Sequence, residues 1–315
     1  MDAGLSPTAP SRSAGISPDA ASARMGAPPS GASPAAWRDG FLGMLIFSGS
    51  LPATRLAVED LPPLFLTSAR AVAAALLGGA LLLLTRAGRP ERKDLPALAV
   101  TALGVVVGFP LLTALALQRV SSAHGVVFIG LLPLATALFA TLRGGERPKP
   151  AFWLFSGLGA ATVAGFALSQ GGSGSLEGDL LMLAAVLLCG LGYAEGAKLS
   201  RRLGGWRAIS WALVLSAPPM LVLALLSLPE SWAGIGTPAW LGFGYVSVFS
   251  MLIGFIFWYR GLAAGGVARV GQLQLLQPFF GLALAGLLLG EPTPWGMFAS
   301  AGVVALCVAL SKRFA

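Results

Sequence analysis

Beyond residue 36 the chain is a succession of apolar runs separated by gaps of only a few residues. A helix needs about 20 residues to cross a hydrocarbon layer ~30 Å thick. Ten runs meet or approach that length: 39–57, 63–85, 96–117, 122–142, 151–170, 179–198, 208–228, 239–259, 267–289 and 294–311. The connections leave no room for an extramembrane domain. The pattern therefore predicts an all-α polytopic membrane protein with ten transmembrane helices. Residues 1–36 have no apolar run and are rich in Ala, Ser, Pro and Gly. Such a segment buries too little surface to offset its ordering entropy, so a disordered tail is expected there. It is not a signal peptide, because no hydrophobic core precedes Phe41.

Composition agrees with the pattern. Only 11% of the 315 residues are charged, against about 25% in soluble domains, and the mean hydropathy is +0.79. The net charge of +8 does not imply nucleic acid as a partner, because the basic residues occupy short gaps between apolar runs. When the connections are assigned alternately to two sides, one side receives most of them: Arg86, Arg89, Arg92, Lys93, Arg143, Arg147, Lys149, Lys198, Arg201, Arg202, Arg207, Arg260, Lys312 and Arg313. The other side receives Arg55 and Arg119 with Glu59, Asp60, Glu177, Asp179, Glu230 and Glu291. This asymmetry predicts an even number of spans and both termini in the cytoplasm of a cell (inner) membrane. Cys189 and Cys307 both fall in apolar runs, which argues against a disulfide framework.

The two halves repeat. Leu131-Leu132-Pro133, running on to Gly145-Glu146, recurs as Leu276-Gln277-Pro278, running on to Gly290-Glu291, with an offset of 145 residues at both landmarks. Leu117, Ala123, Leu131, Ala140 and Leu142 match Leu262, Ala268, Leu276, Ala285 and Leu287 at the same offset. Alone, each proline could be a helix kink and each glutamate a helix end. Their joint recurrence at Pro133, Glu146, Pro278 and Glu291 is harder to produce by chance. Each landmark closes the fourth span of a five-span half. Five is odd, so the second half enters the membrane from the opposite side. The expected organisation is a tail at 1–36 and two inverted five-helix repeats at 37–170 and 171–315.

A mid-span Pro followed by a terminal Gly-Glu in each half resembles the ten-span EamA-type members of the drug/metabolite transporter superfamily. Arg70 early in the second span and Ser121-Ser122-Ala123-His124-Gly125 at the start of the fourth add to the likeness. The resemblance covers residues 38–312. It implies a central cavity lined by the first four spans of each half, with the fifth and tenth peripheral. It also implies secondary transport, in a superfamily whose members export amino acids or move sugars and nucleotide derivatives. The second half has no arginine matching Arg70, and Trp211 lies near that position.

The chain has one histidine, no paired metal-ligand spacing and no Walker-type phosphate loop. Neither an enzyme nor a cofactor is therefore expected. Polar groups at membrane depth are the informative ones. Arg70 sits about 10 Å inside the second span, where an arginine costs about 2.5–3.5 kcal/mol on insertion scales. It suits either a cavity or a structural ion pair. Glu195 is a coupling candidate, or else an interfacial partner of Lys198 three residues on. Gln272, Gln274 and Gln277 precede Pro278, which crowds the carbonyl of Gln274. They are candidates for lining the cavity or for bonding between helices. His124, Tyr193, Trp258 and Tyr259 could meet a substrate, or serve at the interface and in packing.

The expected function is alternating-access export of a small metabolite, such as an amino acid or organic acid. The partners are the lipid bilayer and that small molecule, with a homodimer left open. The alternative is a non-transporting membrane scaffold, with a membrane-embedded enzyme third. Transport requires a wet midplane cavity reached by Arg70 and Gln277, whereas a scaffold would be dry and packed at its centre. The topology is testable by thiol labelling. Cysteines at 88–93 and 201–206 should react only from the cytoplasm, and those at 172–175 and 233–236 only from outside. Labelling of both sets from one side would refute inverted halves.

Overall fold

The computed structural model describes residues 33–116, 119–120, 122–169, 175–290 and 294–315; the side chains of Leu51, Ser122, Ala123, His124, Val126, Ala285 and Leu289 fall outside that description. Ten helices follow in order. They are α1 (Pro34–Val58), α2 (Pro63–Leu84), α3 (Arg92–Ala116), α4 (Ser122–Ile129 and Leu132–Gly144) and α5 (Pro150–Ser169). The second half holds α6 (Leu176–Leu203), α7 (Gly205–Leu226), α8 (Thr237–Gly265), α9 (Val267–Leu288) and α10 (Trp295–Ser311). Nine are long and apolar enough to cross a membrane, and α10 is a shorter apolar helix. The protein is an all-helical multi-pass membrane protein.

Several boundaries differ from those expected, among them the end of α8, at Gly265 rather than residue 259, and the start of α3, at Arg92 rather than residue 96. α1 begins at Pro34 rather than after residue 36, because Ser33 accepts a hydrogen bond from the Ala36 amide at 3.2 Å and Pro34 presets the first turn. α6 runs on to Leu203, where Gly204 ends it at a φ of +86°. Lys198, Arg201 and Arg202 therefore lie on the helix and not in a connection.

The repeat is visible in the backbone. Leu132–Gly144 and Gln277–Leu289 are each 13 residues long. Each carries its proline in the first turn, and each ends on a left-handed glycine: Gly145 at φ +70° and Gly290 at φ +69°. α3 is π-helical at Ala102–Gly108 and α8 at Val246–Ile253, again at matching positions. α1 and α2 start 142 residues before α6 and α7 (176 − 34 and 205 − 63), and the offset rises to 145 at α3 and α8 (237 − 92). The three extra residues sit in the connection after α7, where a surface loop absorbs them. Glu146, just past the end of α4, touches the first residues of α9. Gly290 lies at the far end of α9, about 35 Å away. The two left-handed glycines, Gly145 and Gly290, are thus at opposite ends, which is the inverted arrangement.

Charges tie the halves together at the end that holds most of the basic residues. Asp39 meets Arg260 at 3.2 Å, Asp94 meets Arg202 at 2.5 Å, Glu146 meets Arg201 at 3.4 Å, and Glu195 meets Arg143 at 2.7 Å. Each pair joins one half to the other, and all four carboxylates are buried. The opposite end has Arg119–Glu177 at 2.7 Å, and Asp60 accepts a hydrogen bond from the Gly236 amide at 2.8 Å. Leucines such as Leu84, Leu226 and Leu287 point outward, as a lipid-facing surface requires.

Small residues set the closest approaches between helices. A Cβ on Gly43 of α1 would sit 2.8 Å from the Trp258 backbone nitrogen of α8, and one on Gly104 of α3 would sit 2.8 Å from the Cα of Gly192 in α6. Gly43→Ala should therefore destabilise the protein by about 1–3 kcal/mol, read as a lower Tm in detergent. Gly244→Ala, where a Cβ meets nothing within 4 Å, should leave Tm unchanged or raise it slightly. Equal Tm for both variants would show that the α1–α8 contact is not limiting.

Candidate functional site

The centre of the bundle holds a cluster of rings contributed by both halves. Phe47 of α1 lies 5.0 Å from Phe255 and 6.1 Å from Trp258 of α8, between ring centroids. Tyr193 of α6 lies 5.6 Å from Trp258. All four side chains are buried. The Gln274 amide of α9 donates to the Tyr193 hydroxyl at 3.0 Å. The Tyr259 hydroxyl donates to the Gly192 carbonyl at 3.2 Å, which is a packing role.

This cluster is not satisfied internally. Among the described residues, Trp258 Nε1 and Gln274 Oε1 are buried without a hydrogen-bond partner, and so is the hydroxyl of Thr136, whose methyl group lies beside Gly271 at the start of α9. Buried polar atoms are nearly always bonded, so a group of exceptions calls for an explanation. The arrangement can offer an arriving molecule a donor at Trp258, an acceptor at Gln274, a hydroxyl at Thr136 that can serve as either, and aromatic faces.

The remaining candidates are placed as follows. Arg70 is half-buried in α2, with Nε covered and unbonded, and no ion pair reaches it among the described residues. Gln272 turns back on its own helix, donating to the Ala268 carbonyl at 3.4 Å. Gln277 is half-buried. The carbonyl of Gln274, expected to be stranded by Pro278, instead accepts from the Gln277 amide because Gln272–Leu276 tightens into a 3₁₀ turn. Glu195 bridges Arg143 at 2.7 Å and Lys198 at 3.8 Å. With a cation on each side it joins α6 to α4. The side chain of His124 and the whole of Glu291 lie outside the described residues.

A cavity of about 480 Å³ opens at the basic end between α1, α6 and α8, lined by Asp39, Ser200, Arg201, Arg260 and Ala263 among others. None of Arg70, Gln274 and Gln277 lines it, so it is not the midplane cavity expected. The same three helices carry Phe47, Tyr193 and Trp258 further in, and the cavity reads as a vestibule that stops short of the ring cluster. Asp39, Phe47, Phe255 and Thr136 were missed in the sequence. Asp39 had a signal, as an acidic residue at the very start of an apolar run.

The model of the EamA-like transporter family matches residues 40–168 and 176–312. An uncharacterized transporter of Bacillus subtilis, YdeK, is 64% identical over 89% of this chain and 97% of its own length. A protein of Chlamydia trachomatis serovar L2, named S-adenosylmethionine/S-adenosylhomocysteine transporter, is 29% identical over 84% of this chain and 85% of its own. A solved crystal structure at 20% identity superposes with a TM-score of 0.76, covering 89% of this chain and 99% of the other. That likeness concerns the fold alone.

The Tyr193–Gln274 contact is open to a double-mutant cycle. Tyr193→Phe strips Gln274 of its single partner and should cost about 1–3 kcal/mol. Adding Gln274→Leu should recover part of the loss, with a coupling above about 0.5 kcal/mol in thermal unfolding. Strict additivity would show that the two side chains do not interact.

Proposed function

This chain belongs to the EamA-like transporter family, and we propose that it carries a small carboxylate-bearing metabolite, an amino acid or organic acid, outward by alternating access of its two inverted halves. The observation that carries this reading is the group of buried, unbonded polar atoms at Trp258, Gln274 and Arg70. In a bilayer these groups have no water to turn to, and a substrate would satisfy them for part of each cycle. The scaffold alternative gives way, because the family is one of transporters.

In this reading the basic end faces the cytoplasm, following the charge asymmetry. The vestibule at Asp39, Ser200 and Arg260 is the entrance, held shut by the ion pairs around it. Arg70 is the anchor for the carboxylate. A guanidinium without an acidic partner needs an anion, water or carbonyls, and its fork matches a carboxylate in bidentate fashion. The rings of Phe47, Tyr193 and Trp258 hold the apolar part of the substrate. A second reading comes from the Chlamydia relative. S-Adenosylmethionine also bears an amino-acid carboxylate, and its sulfonium and base would suit the aromatic faces. Either way transport is secondary, and Glu195, already engaged by two cations, is a bridge and not the coupling group.

Counter-flow into proteoliposomes with labelled amino acids, organic acids and S-adenosylmethionine tests the reading. At least one compound should accumulate. Arg70→Lys should cut its uptake about tenfold through loss of the fork, and Arg70→Ala should cut it to near background, with equal protein in the membrane. Normal uptake by Arg70→Ala would remove Arg70 from the site. Failure of the variant to accumulate would make the arginine a structural group.

A further inference from the structure

Glu146 does more than end a helix. Gly145, at φ +70°, turns the chain sharply at the end of α4, and the glutamate side chain then crosses to the other half. Oε1 accepts the Val267 amide and Oε2 the Ala268 amide, each at 2.8 Å. α9 has no side-chain cap of its own, because its N-cap residue is Gly266 at φ +89°. The first half therefore supplies the cap of a helix in the second half. The carboxylate also complements the positive end of that helix. Arg201 lies 3.4 Å from Oε1 and donates to the Ala263 carbonyl at 3.3 Å, fixing the carboxylate from behind.

The capped helix is the one that carries Gln274. Six residues beyond Ala268, about 10 Å along the axis, Gln274 reaches Tyr193. Around it, Val270 packs against Gly40 of α1 and Leu275 against Gly159 of α5. A shift of α9 along its axis, or a rotation, would carry Gln274 off Tyr193. The N-cap Gly266 offers no side chain, and the start of α9 is held by two charge-assisted bonds from the other half, with Arg269 bonded to the Ala315 carbonyl beside them.

We propose that Glu146 is a positioning residue for the transport site. By capping α9 across the interface between the halves, it holds Gln274 on Tyr193 only while the basic end is closed, and so couples closure of that end to the grip on the substrate. The proposal rests on the site reading above. When the halves part at the basic end, the cap is lost, α9 loosens, and the amide leaves its partner on the side from which the vestibule opens.

The test uses the full chain in lipid nanodiscs and proteoliposomes, with Glu146→Ala and Glu146→Gln. Three readouts apply. The first is amide hydrogen exchange over 267–276. The second is maleimide reactivity of a cysteine at 274 in a Cys189→Ser, Cys307→Ser background. The third is the half-saturating concentration for whichever compound of the counter-flow panel is taken up. In Glu146→Ala, exchange across the whole stretch should quicken at least tenfold, the cysteine should become reactive, and half-saturation should rise about tenfold with maximal rate within twofold. Glu146→Gln keeps one acceptor and should fall between. In a Gln274→Ala background, Glu146→Ala should add nothing to half-saturation.

The first two readouts need no ligand. If no compound is taken up, the site reading fails while they still judge the cap. Faster exchange confined to 267 and 268, with unchanged reactivity and half-saturation, would make Glu146 an ordinary end cap and overturn the proposal. Where Glu146→Ala fails to accumulate, Glu146→Gln decides, and wild-type behaviour of Glu146→Gln in all three readouts overturns it as well.

Discussion

A break in a membrane helix frees peptide groups that lipid cannot satisfy, and each must be repaired from within the protein. The architecture depends on how five such places are mended. In α3 and α8 the π-helical segments pass the amide on to a more distant carbonyl, as where the Phe109 amide reaches Gly104 and the Gly254 amide reaches Phe249. In α9 the turn before Pro278 tightens to 3₁₀, and in α4 the Leu131 amide likewise reaches back three residues to Phe128 at 2.9 Å. The start of α9 is mended by a carboxylate from the other half. The irregular segments are therefore the places where helix geometry depends on neighbours, which suits them to move.

The same economy governs charge. Burying an ion pair costs desolvation that its Coulomb attraction seldom exceeds by much, so such pairs are poor evidence for raw stability. Here Asp39, Asp94, Glu146 and Glu195 are all buried, and all pair with a cation of the opposite half. Hydrophobic side chains could have joined the halves permanently. Ion pairs at the rim can be exchanged for water, which suits them to the reversible closure proposed above. The apolar seams, by contrast, rest on close backbone approaches such as Gly43 on Trp258.

Much of the fold could be read from residues alone. Ten apolar runs and alternating charge located the helices, because membrane thickness imposes one length on all of them. Pro133/Pro278 and Gly145/Gly290 revealed the repeat, because each pair performs a local backbone task that only those residues do well. The change of offset from 142 to 145 was not legible, since the first two helices of each half carry no such landmarks. For the candidate site, single residues were legible and their pairings were not. Spacing alone offered Lys198 to Glu195, but Arg143, 52 residues away, is the closer partner. The fate of the Gln274 carbonyl was misjudged because local rules do not foresee the 3₁₀ turn.

The backbone is symmetric but the chemistry is not. α2 and α7 are both 22 residues long; aligned end to end, Arg70 falls on Ala212. At the offsets of their own segments, Tyr193, Trp258 and Gln274 correspond to Leu51, Thr113 and Ile129. An inverted repeat with identical halves would have inward-open and outward-open states of equal energy, because exchanging the halves interconverts them. Here the amide and most of the rings belong to the second half, and the half-buried Arg70 belongs to the first. In the site proposed above, a bound molecule with an anionic end and an apolar end would straddle the halves in one orientation. It meets different partners in the two states, and an equilibrium can be shifted only by such differential contact. In the proposed cycle, symmetry of the backbone would supply the two states, and asymmetry of the side chains would let a bound molecule favour one of them.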